Sequence, residues 1–365
     1  MNHKFTNLTA QTKLCLLFEK IVDLSNNIIN KTTVYLLLTF FLSRVLFGQD
    51  IHFSQFNGSL LNLTPGFTGL FNGDFRVGAI YRSQWQSVPV PYSTFSMNGE
   101  ARIKPKRLIK DMIGVGLVFN SDKAGDTRYG TTQLYLNGSY IFLGKKDSTL
   151  LFTVGMNLGW CQVGFDYNKM TFDNQFDGVN YNKATATGEN FDWTKYNYAD
   201  MNLGGGMQYV LNNKHRFTIG LGAHHLTNPV ITYQGNNLSR LDFKLSNYLS
   251  YSTPINPTMD VIVEALVTKQ AKNYEIIPHS SLKYYLNRDD NKAISAGLCF
   301  RTKDAVILRF GYTHKTLQSG IAYDINTSQF TAATNRRGAF EIFINYIIKR
   351  TPSSFIKKRV CPVFM

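Results

Sequence analysis

The chain has 365 residues and a formal charge of +15, with 20 Tyr, 27 Phe and 28 Gly. A basic balance invites a nucleic-acid-binding interpretation, but the charges are not gathered in a recognisable motif of that class. The mean hydropathy of −0.17 argues against helical membrane spans, because each such span needs about 20 mostly apolar residues.

Residues 34–42, VYLLLTFFL, form the most uniformly apolar run of the chain. The run is too short for a spanning helix and has the length of a signal-peptide core, with Lys31 before it and small Gly48 before a cleavage point at Gln49. The alternative is a buried element of a soluble protein. We expect residues 1–48 to be an N-terminal extension plus signal peptide, outside the fold.

From Gln49 onward the chain has 317 residues, an ordinary length for one large barrel. Basic residues there outnumber acidic ones by 12. They cluster as Lys104, Lys106, Arg107 and Lys110, as Lys145 and Lys146, and as Lys349, Arg350, Lys357, Lys358 and Arg359. These clusters are either solvated turns or a basic periplasmic face that docks a partner.

Apolar and polar residues alternate with a period of two in strand after strand, as expected where one face of a strand is apolar. A β-sandwich also alternates. Here, however, the apolar face carries aromatics near its ends, such as Trp160 and Tyr312, and the opposite face is rich in Gly, Asn, Thr and Gln. This pattern favours an outer-membrane antiparallel β-barrel with an apolar outer wall and a small, polar lumen face.

We predict an all-β barrel of about fourteen strands within residues 74–349, followed by a basic periplasmic tail, 350–365. The expected strands are 74–83, 92–103, 112–120, 129–143, 149–165, 198–211, 214–226, 240–251, 257–268, 273–286, 291–301, 304–315, 317–327 and 338–349. Residues 49–73, rich in Gly, are expected to be either a periplasmic lead-in or a segment tucked into the lumen.

The lengths of the connections predict the orientation of the barrel. With both chain ends in the periplasm, connections after even-numbered strands are periplasmic and should be short. Those after odd-numbered strands should be longer and face outside, and they include the longest connection, 166–197. The short TKDA after the eleventh strand is an exception to this rule, and STPINPT at 252–258 is a longer periplasmic turn.

No catalytic, cofactor-binding or metal site stands out. His224 and His225 are adjacent on a predicted strand, where neighbouring side chains point to opposite faces. Cys161, Cys299 and Cys361 lack the spacing of metal ligands. The acids of the long loop lack the spacing of a calcium loop and are expected to be solvated: Asp166, Asp173, Asp177 and Glu189. Numerous aromatics in the same loop indicate a binding surface or a folded lid.

Several short motifs resemble one protein family. HFSQF at 52–56, LNLTPGFTG at 61–69 and YRSQW at 81–85 are similar to the PorP/SprF proteins of the type IX secretion and gliding machinery. YDIN at 323–326, RRGAFEI at 336–342 and CPVF at 361–364 resemble the same family. The long N-terminal extension departs from the family pattern, as does Gly66, where a residue such as Ala is expected after Pro65.

The resemblance implies a non-enzymatic component of the cell outer membrane, without a cofactor. Such a protein would anchor the periplasmic lipoprotein ring of the secretion machine or assist export of an adhesin to the cell surface. The candidate partner-docking residues are Lys104, Lys106, Arg107, Lys110, Lys357, Lys358, Arg359 and Phe364. Outer-membrane lipid is the other expected partner, and nucleic acid is not. The alternative function is a passive or substrate-specific pore.

Overall fold

A computed structural model describes residues 50–85, 91–105, 110–144, 149–212, 214–233, 239–328 and 331–349. The predicted extension and signal peptide, 1–48, and the predicted tail, 350–365, lie outside the described residues. Within the described ranges, no helix is long and apolar enough to cross a membrane.

Fourteen antiparallel strands close into one barrel, which confirms the predicted fold class. The barrel strands are β1 Phe75–Gln84, β2 Tyr92–Ile103, β3 Met112–Ala124, β4 Tyr129–Leu143, β5 Leu150–Gly164, β6 Lys195–Leu211, β7 His215–His224, β10 Lys244–Asn256, β11 Met259–Gln270, β12 Asn273–Asn287, β13 Lys292–Arg301, β14 Ala305–His314, β15 Leu317–Asn326 and β16 Arg337–Ile348. Each strand pairs with its neighbours in chain order, and β1 pairs with β16 to close the barrel.

The alternation seen in the sequence sorts side chains between the two faces of the wall. Leu158, Leu221 and Ile344 are about half exposed on the outside, at 54%, 55% and 50%. Their neighbours Asn157 and Asn345 are buried in the lumen. Outward apolar and inward polar side chains are the arrangement that a bilayer requires of a barrel.

The two ends of the barrel differ in their connections. The short-turn rim carries connections 104–111, 144–149, 212–214, 257–258, 288–291 and 315–316, together with the end of β16. The long-loop rim carries 85–91, 125–128, 165–194, 225–243, 271–272, 302–304 and 327–336. Three connections at the long-loop rim, 271–272, 302–304 and 125–128, are nevertheless short. At the second of these, Asp304 pairs with Arg301 at 2.8 Å and stabilises the tight turn.

Several predicted boundaries were wrong by a few residues. The predicted turn 252–258 belongs mostly to β10, which continues to Asn256. Pro254 is tolerated because pairing of β10 with β7 ends at Ser252 and its pairing with β11 is irregular between Pro254 and Asn256. The connection 225–243 contains a two-stranded ribbon, β8 Val230–Ile231 and β9 Ser239–Arg240, and 327–336 contains the short helix α1 Thr331–Thr334. Neither element was predicted from the sequence.

Residues 50–74, here called the plug, lie inside the barrel. Three short 3-10 helices shape the segment, at Phe56–Gly58, Leu60–Asn62 and Pro65–Phe67. The plug begins near the long-loop rim, where the Asp50 N–H donates to the Gln270 side chain at 3.0 Å. It ends at the short-turn rim, where the Asp74 N–H donates to the Ile348 carbonyl at 2.9 Å. The segment therefore runs the length of the lumen before β1 begins.

Candidate functional site: the plugged lumen

Glycines on the lumen face make room for the middle of the plug. A Cβ atom at Gly155 of β5 would overlap the carbonyl oxygen of Pro65, and one at Gly220 of β7 would overlap the Phe67 ring. The plug is equally constrained, since a Cβ at Gly66 would lie 2.8 Å from the Cα of Gly205. The departure of Gly66 from the family pattern thus has a steric reason. The small lumen face predicted from the sequence is the surface against which the plug packs.

Two aromatic side chains of the plug form its apolar core. Phe56 and Phe67 are each 1% exposed. Both make edge-to-face contacts with Tyr248 of β10, at ring-centroid distances of 6.0 and 5.6 Å. Such pairs contribute roughly 0.5–1.5 kcal/mol beyond the burial of their area. The plug is therefore packed against the wall as a hydrophobic core is, as well as hydrogen-bonded to it.

A buried cluster of charges holds the start of the plug. The Glu341 carboxylate of β16 accepts the backbone N–H groups of Ser54 and Gln55, at 2.6 and 2.8 Å. The Ser54 hydroxyl donates to Asp324 of β15 at 2.9 Å. Two carboxylates from the last two strands therefore bind two consecutive residues of the plug.

Two arginines neutralise these carboxylates. Arg82 of β1 bridges them, with Nη2 lying 3.0 Å from Asp324 and Nη1 bonded to Glu341. Arg301 of β13 contacts Asp324 at 3.0 Å and also donates to the Ser54 hydroxyl. All four side chains are at least 96% buried. We call Arg82, Arg301, Asp324 and Glu341 the plug anchor.

The plug anchor brings together motifs that are far apart in the sequence. Ser54 and Gln55 belong to HFSQF, Arg82 to YRSQW, Asp324 to YDIN and Glu341 to RRGAFEI. Each motif resembles the family by itself, and nothing in the sequence relates one motif to another. Their contact indicates that these motifs specify one internal structure, the anchored plug.

A second ionic cluster holds the plug near the long-loop rim. Asp50 lies 3.2 Å from Lys244 Nζ and 3.4 Å from His225 Nε2. His225 Nδ1 in turn lies 2.9 Å from Asp200 of β6. Burial opposes the charged imidazolium, but the hydrogen bond to Asp200 and the ion pair with Asp50 outweigh that effect and raise the pKa of His225 to about 9. The ion pair with Lys244 helps to hold the pKa of Asp50 well below its usual value, against the opposing effect of burial.

The prediction that His224 and His225 point to opposite faces was wrong. β7 ends at His224, and His225 has a positive φ of 60°, which breaks the alternation. Both rings are buried in the lumen. His224 contacts the Leu63 carbonyl of the plug at 3.1 Å and the Ser246 hydroxyl of β10 at 3.2 Å. Together with the contact of His225 to Asp50, the pair binds the plug at two points.

The candidate docking residues fall into two groups. Lys104 directly follows β2 and Lys110 lies two residues before β3, so both are on the short-turn rim, and both are exposed. The remaining candidates lie outside the described residues: Lys106, Arg107, Lys357, Lys358, Arg359 and Phe364. The docking face therefore remains a prediction.

The loop 165–194 is partly ordered by its aromatics. Phe165 packs against Phe191 and against Tyr233 of the neighbouring connection, at centroid distances of 5.2 and 5.1 Å. Phe176 and Tyr181 form an isolated β-bridge and stay 55% and 43% exposed. The loop is thus packed at its base and exposes aromatic surface farther out.

The acids of the same loop have local structural contacts. Asp177 accepts the backbone N–H groups of Val179 and Asn180, at 2.8 and 2.6 Å. Asp166 accepts the N–H of Asn168 at 3.2 Å. These two carboxylates cap turns of the loop.

The described cysteines are free and fully buried. Cys161 of β5 and Cys299 of β13 face the lumen and belong to different apolar clusters. Cys161 Sγ lies 3.5 Å from the Tyr135 hydroxyl. Both side chains fill small internal spaces, the ordinary role of a lone buried Cys.

A family model described as "Type IX secretion system membrane protein PorP/SprF" matches residues 45–346 of this chain. No curated protein gave a match. Among solved structures, the Ralstonia pickettii toluene transporter TbuX aligns at 9% identity and a TM-score of 0.47, covering 79% of this chain and 92% of that one. A Pseudomonas aeruginosa FadL homologue aligns at 9% identity and a TM-score of 0.46, covering 78% and 92%. Similarities this low say nothing about a ligand.

Proposed function

Because the chain belongs to the PorP/SprF family of type IX secretion system membrane proteins, we propose that it is a non-enzymatic component of that machine in the outer membrane. In this role it anchors periplasmic ring proteins or assists export of a surface adhesin. The family is one of secretion components, and the chain folds into the kind of barrel that spans the outer membrane. The anchoring or export-assisting role is the part that goes beyond family and fold.

The observation that carries the proposal is the anchored plug. A passive pore needs a continuous aqueous path, whereas here a segment of 25 residues follows the lumen and is bonded to β1, β15 and β16 by buried charges. A barrel occupied in this way is suited to be a membrane-embedded platform for other proteins. Planar-bilayer recordings should therefore give a low conductance for the purified barrel, and a large steady conductance would favour the pore.

The partner contact is proposed to lie on the short-turn rim. Lys104 and Lys110 are exposed there, beside the end of β16, from which the basic tail continues. Exposed charges act on a partner over about the Debye length, ~8 Å at physiological ionic strength. Salt should therefore weaken the association.

Charge reversal in the tail tests the docking face. Replacing Lys357, Lys358 and Arg359 together by Glu leaves the terminal aromatic Phe364 intact for barrel assembly. We expect normal abundance of the barrel in the outer membrane, with loss of co-purifying periplasmic lipoproteins and of surface adhesin. If the reversed protein retains both, the docking face lies elsewhere.

A matched control makes the same change of charge at the opposite rim of the barrel. Replacing Lys123, Lys169 and Lys195 by Glu changes three residues near the long-loop rim. We expect this variant to co-purify partners as the unaltered protein does. Equal loss in both variants would indicate a general effect of charge on assembly.

A further inference from the structure

A cavity of about 660 Å³ lies at the short-turn rim and is lined by residues of the barrel strands and of the turns between them. Its lining includes Lys214, Arg216, Lys283 and Arg288, with Asp260 as the single carboxylate among the described lining residues. Such an excess of cations in a concave, partly enclosed site attracts anions. We call this cavity the basic vestibule.

The charges of the basic vestibule are only partly neutralised. Asp260 is engaged by Arg288 and accepts the Tyr285 hydroxyl at 2.7 Å. Lys283 Nζ donates to the neutral Asn291 side chain at 3.3 Å. Lys214 and Arg216 have no ion pair with any residue in the described ranges. The vestibule thus presents donors and positive charge that its own wall does not satisfy.

A smaller chamber of about 160 Å³ adjoins the vestibule on the plug side. Lys283 and Gln318 line both spaces. Three buried polar atoms of the chamber lining have no hydrogen-bond partner among the described residues: Gln55 Nε2, His279 Nε2 and Arg309 Nη1. Their residues are 1%, 5% and 6% exposed.

The unpartnered atoms point to a ligand because buried donors normally find acceptors, and each unmade bond costs about 1–3 kcal/mol. Arg309 Nη2 donates a hydrogen bond to the Asn57 side chain of the plug. Arg309 Nη1 lies 3.8 Å from Glu264, which is an ion-pair distance but too long for a hydrogen bond. Arg309 and Gln55 therefore offer donors to a carboxylate at the inner end, beyond the cations of the vestibule.

From this arrangement we propose that the basic vestibule and its inner chamber bind an extended acidic peptide segment that enters from the short-turn rim. Cations at the mouth and unpartnered donors farther in suit several carboxylates spaced along a chain. A bilayer lipid does not reach them, since these side chains face the lumen while Phe217, Leu282 and Tyr284 of the same strands face outward. The inference deepens the proposed docking role, on which it rests for the identity of the partner.

Binding to the purified full-length protein in detergent tests the inference directly. The probe is a fluorescein-labelled peptide in which Asp alternates with Gly, followed by fluorescence anisotropy. We expect saturable binding that weakens as salt is added, and no binding of the matched peptide in which Asn replaces Asp. Equal binding of both peptides, or none of either, would overturn the proposal.

Two competition experiments test whether the site prefers other anions to a peptide. Inorganic phosphate and nanodiscs containing phosphatidylglycerol are each offered as competitors of the labelled peptide. We expect weak competition from both. If either displaces the peptide at concentrations well below those of the unlabelled peptide itself, the site recognises phosphate chemistry and the peptide assignment is wrong.

Variants locate the site. Lys283→Gln and Arg216→Gln should each weaken peptide binding about tenfold, the effect of losing one charge-assisted contact. Lys269→Gln removes an exposed Lys near the long-loop rim, over the Tyr274 ring, and should leave the affinity unchanged. Retained heat-modifiable migration on gels shows that each barrel is folded. Equal losses for Lys269→Gln and Lys283→Gln would place binding outside the vestibule.

The docking role and the peptide site can fail separately. A barrel that co-purifies its periplasmic partners but binds no acidic peptide contradicts this inference alone. A barrel that binds the peptide in vitro but co-purifies no partner contradicts the proposed docking role alone.

Discussion

The Glu341 carboxylate accepts a hydrogen bond from the backbone N–H of Ser54 at 2.6 Å, across 287 positions of the sequence. Both residues are 0% exposed. A buried carboxylate is tolerated only when it is paired and hydrogen-bonded, and here Arg82 supplies the pairing. The contact therefore ties the beginning of the plug to the last strand of the barrel.

Replacing Glu341 by Gln should destabilise the protein. The amide would keep the shape of the side chain but leave the buried Arg82 with one carboxylate fewer, and breaking a buried pair costs roughly 3–5 kcal/mol. We expect a lower temperature for the loss of heat-modifiable migration on gels. Glu189→Gln in the exposed loop is the control and should change stability by about 0.5 kcal/mol or less. Equal behaviour of the two variants would contradict the role assigned to Glu341.

Valine at Gly155 should displace the plug. Its side chain would overlap Pro65, and overpacking typically costs about 1–3 kcal/mol. We expect faster cleavage within residues 50–74 by an added protease. Gly138→Val is the matched control, because a Cβ there meets nothing within 4 Å. A plug equally protected in both variants would show that the lumen adapts to the added volume.

The strands could be predicted from the sequence because alternation is a local property. Each barrel strand binds its neighbours along the chain, so the order of strands follows once their number is known. The plug could not be placed in this way. Its position depends on contacts such as Gln55 with Glu341 and Gly66 with Gly205, which no periodicity encodes.

Arginine should be tolerated on the lumen face and not on the outer face. Leu308 points outward, and Arg at a lipid-facing site near the middle of the bilayer costs about 2–4 kcal/mol. Thr313 of the same strand is half-buried and faces the lumen. We expect Leu308→Arg to reduce folded barrel in the outer membrane far more than Thr313→Arg, as measured by immunoblot of unheated samples. Similar yields of the two variants would contradict the assignment of Leu308 to the outer face and Thr313 to the lumen face.

The contact of His225 with Asp50 should depend on pH. His225 has its pKa raised from 6.5 to about 9, so its contribution is complete below about pH 6.5 and is lost as the pH rises through about 9. Asp50 has its pKa lowered from 3.8, so its contribution is present above that value and is lost in stronger acid. The protection of backbone amides near Asp50, measured as the exchange rate relative to the intrinsic rate at the same pH, should therefore be high at neutral pH and should fall above about pH 9.

The variant His225→Gln provides the control for this titration. It should show weaker protection near Asp50 already at neutral pH, with little further loss of protection on the alkaline side. An alkaline loss of protection that persists undiminished in the variant would assign the effect to another group.

Epitope tags should reveal the orientation of the barrel. If both chain ends are periplasmic, the loop 165–194 lies on the cell surface and the turn 212–214 lies on the periplasmic side of the outer membrane. A tag near Asn174 should then bind antibody on intact cells, and a tag near Asn213 only after the outer membrane is permeabilised. The reverse labelling would place the short-turn rim, with its basic vestibule, on the cell surface.

The candidate site was predicted only in part. Basic residues at one rim were expected, and Lys104 and Lys110 lie there, but the vestibule was not foreseen. Lys214, Arg216, Lys283 and Arg288 come from separate connections and strands, and only the curvature of the closed barrel brings them around one cavity. Adjacency in sequence was also misleading at His225, where a single positive φ reverses the direction of the side chain.

Arg82 and Glu341 are opposite each other in the pairing of β1 with β16, the last pairing that the chain can form. The plug lies ahead of β1 in the sequence, and its anchor includes β16, so the binding site for its first residues is complete only after the final strand has been made. Joining of the two end strands and capture of the plug thus belong to the same late step of biogenesis. A chain truncated before residue 341 would lack both most of the closing strand and the carboxylate that accepts the backbone N–H of Ser54, so it would remain an open sheet in the periplasm.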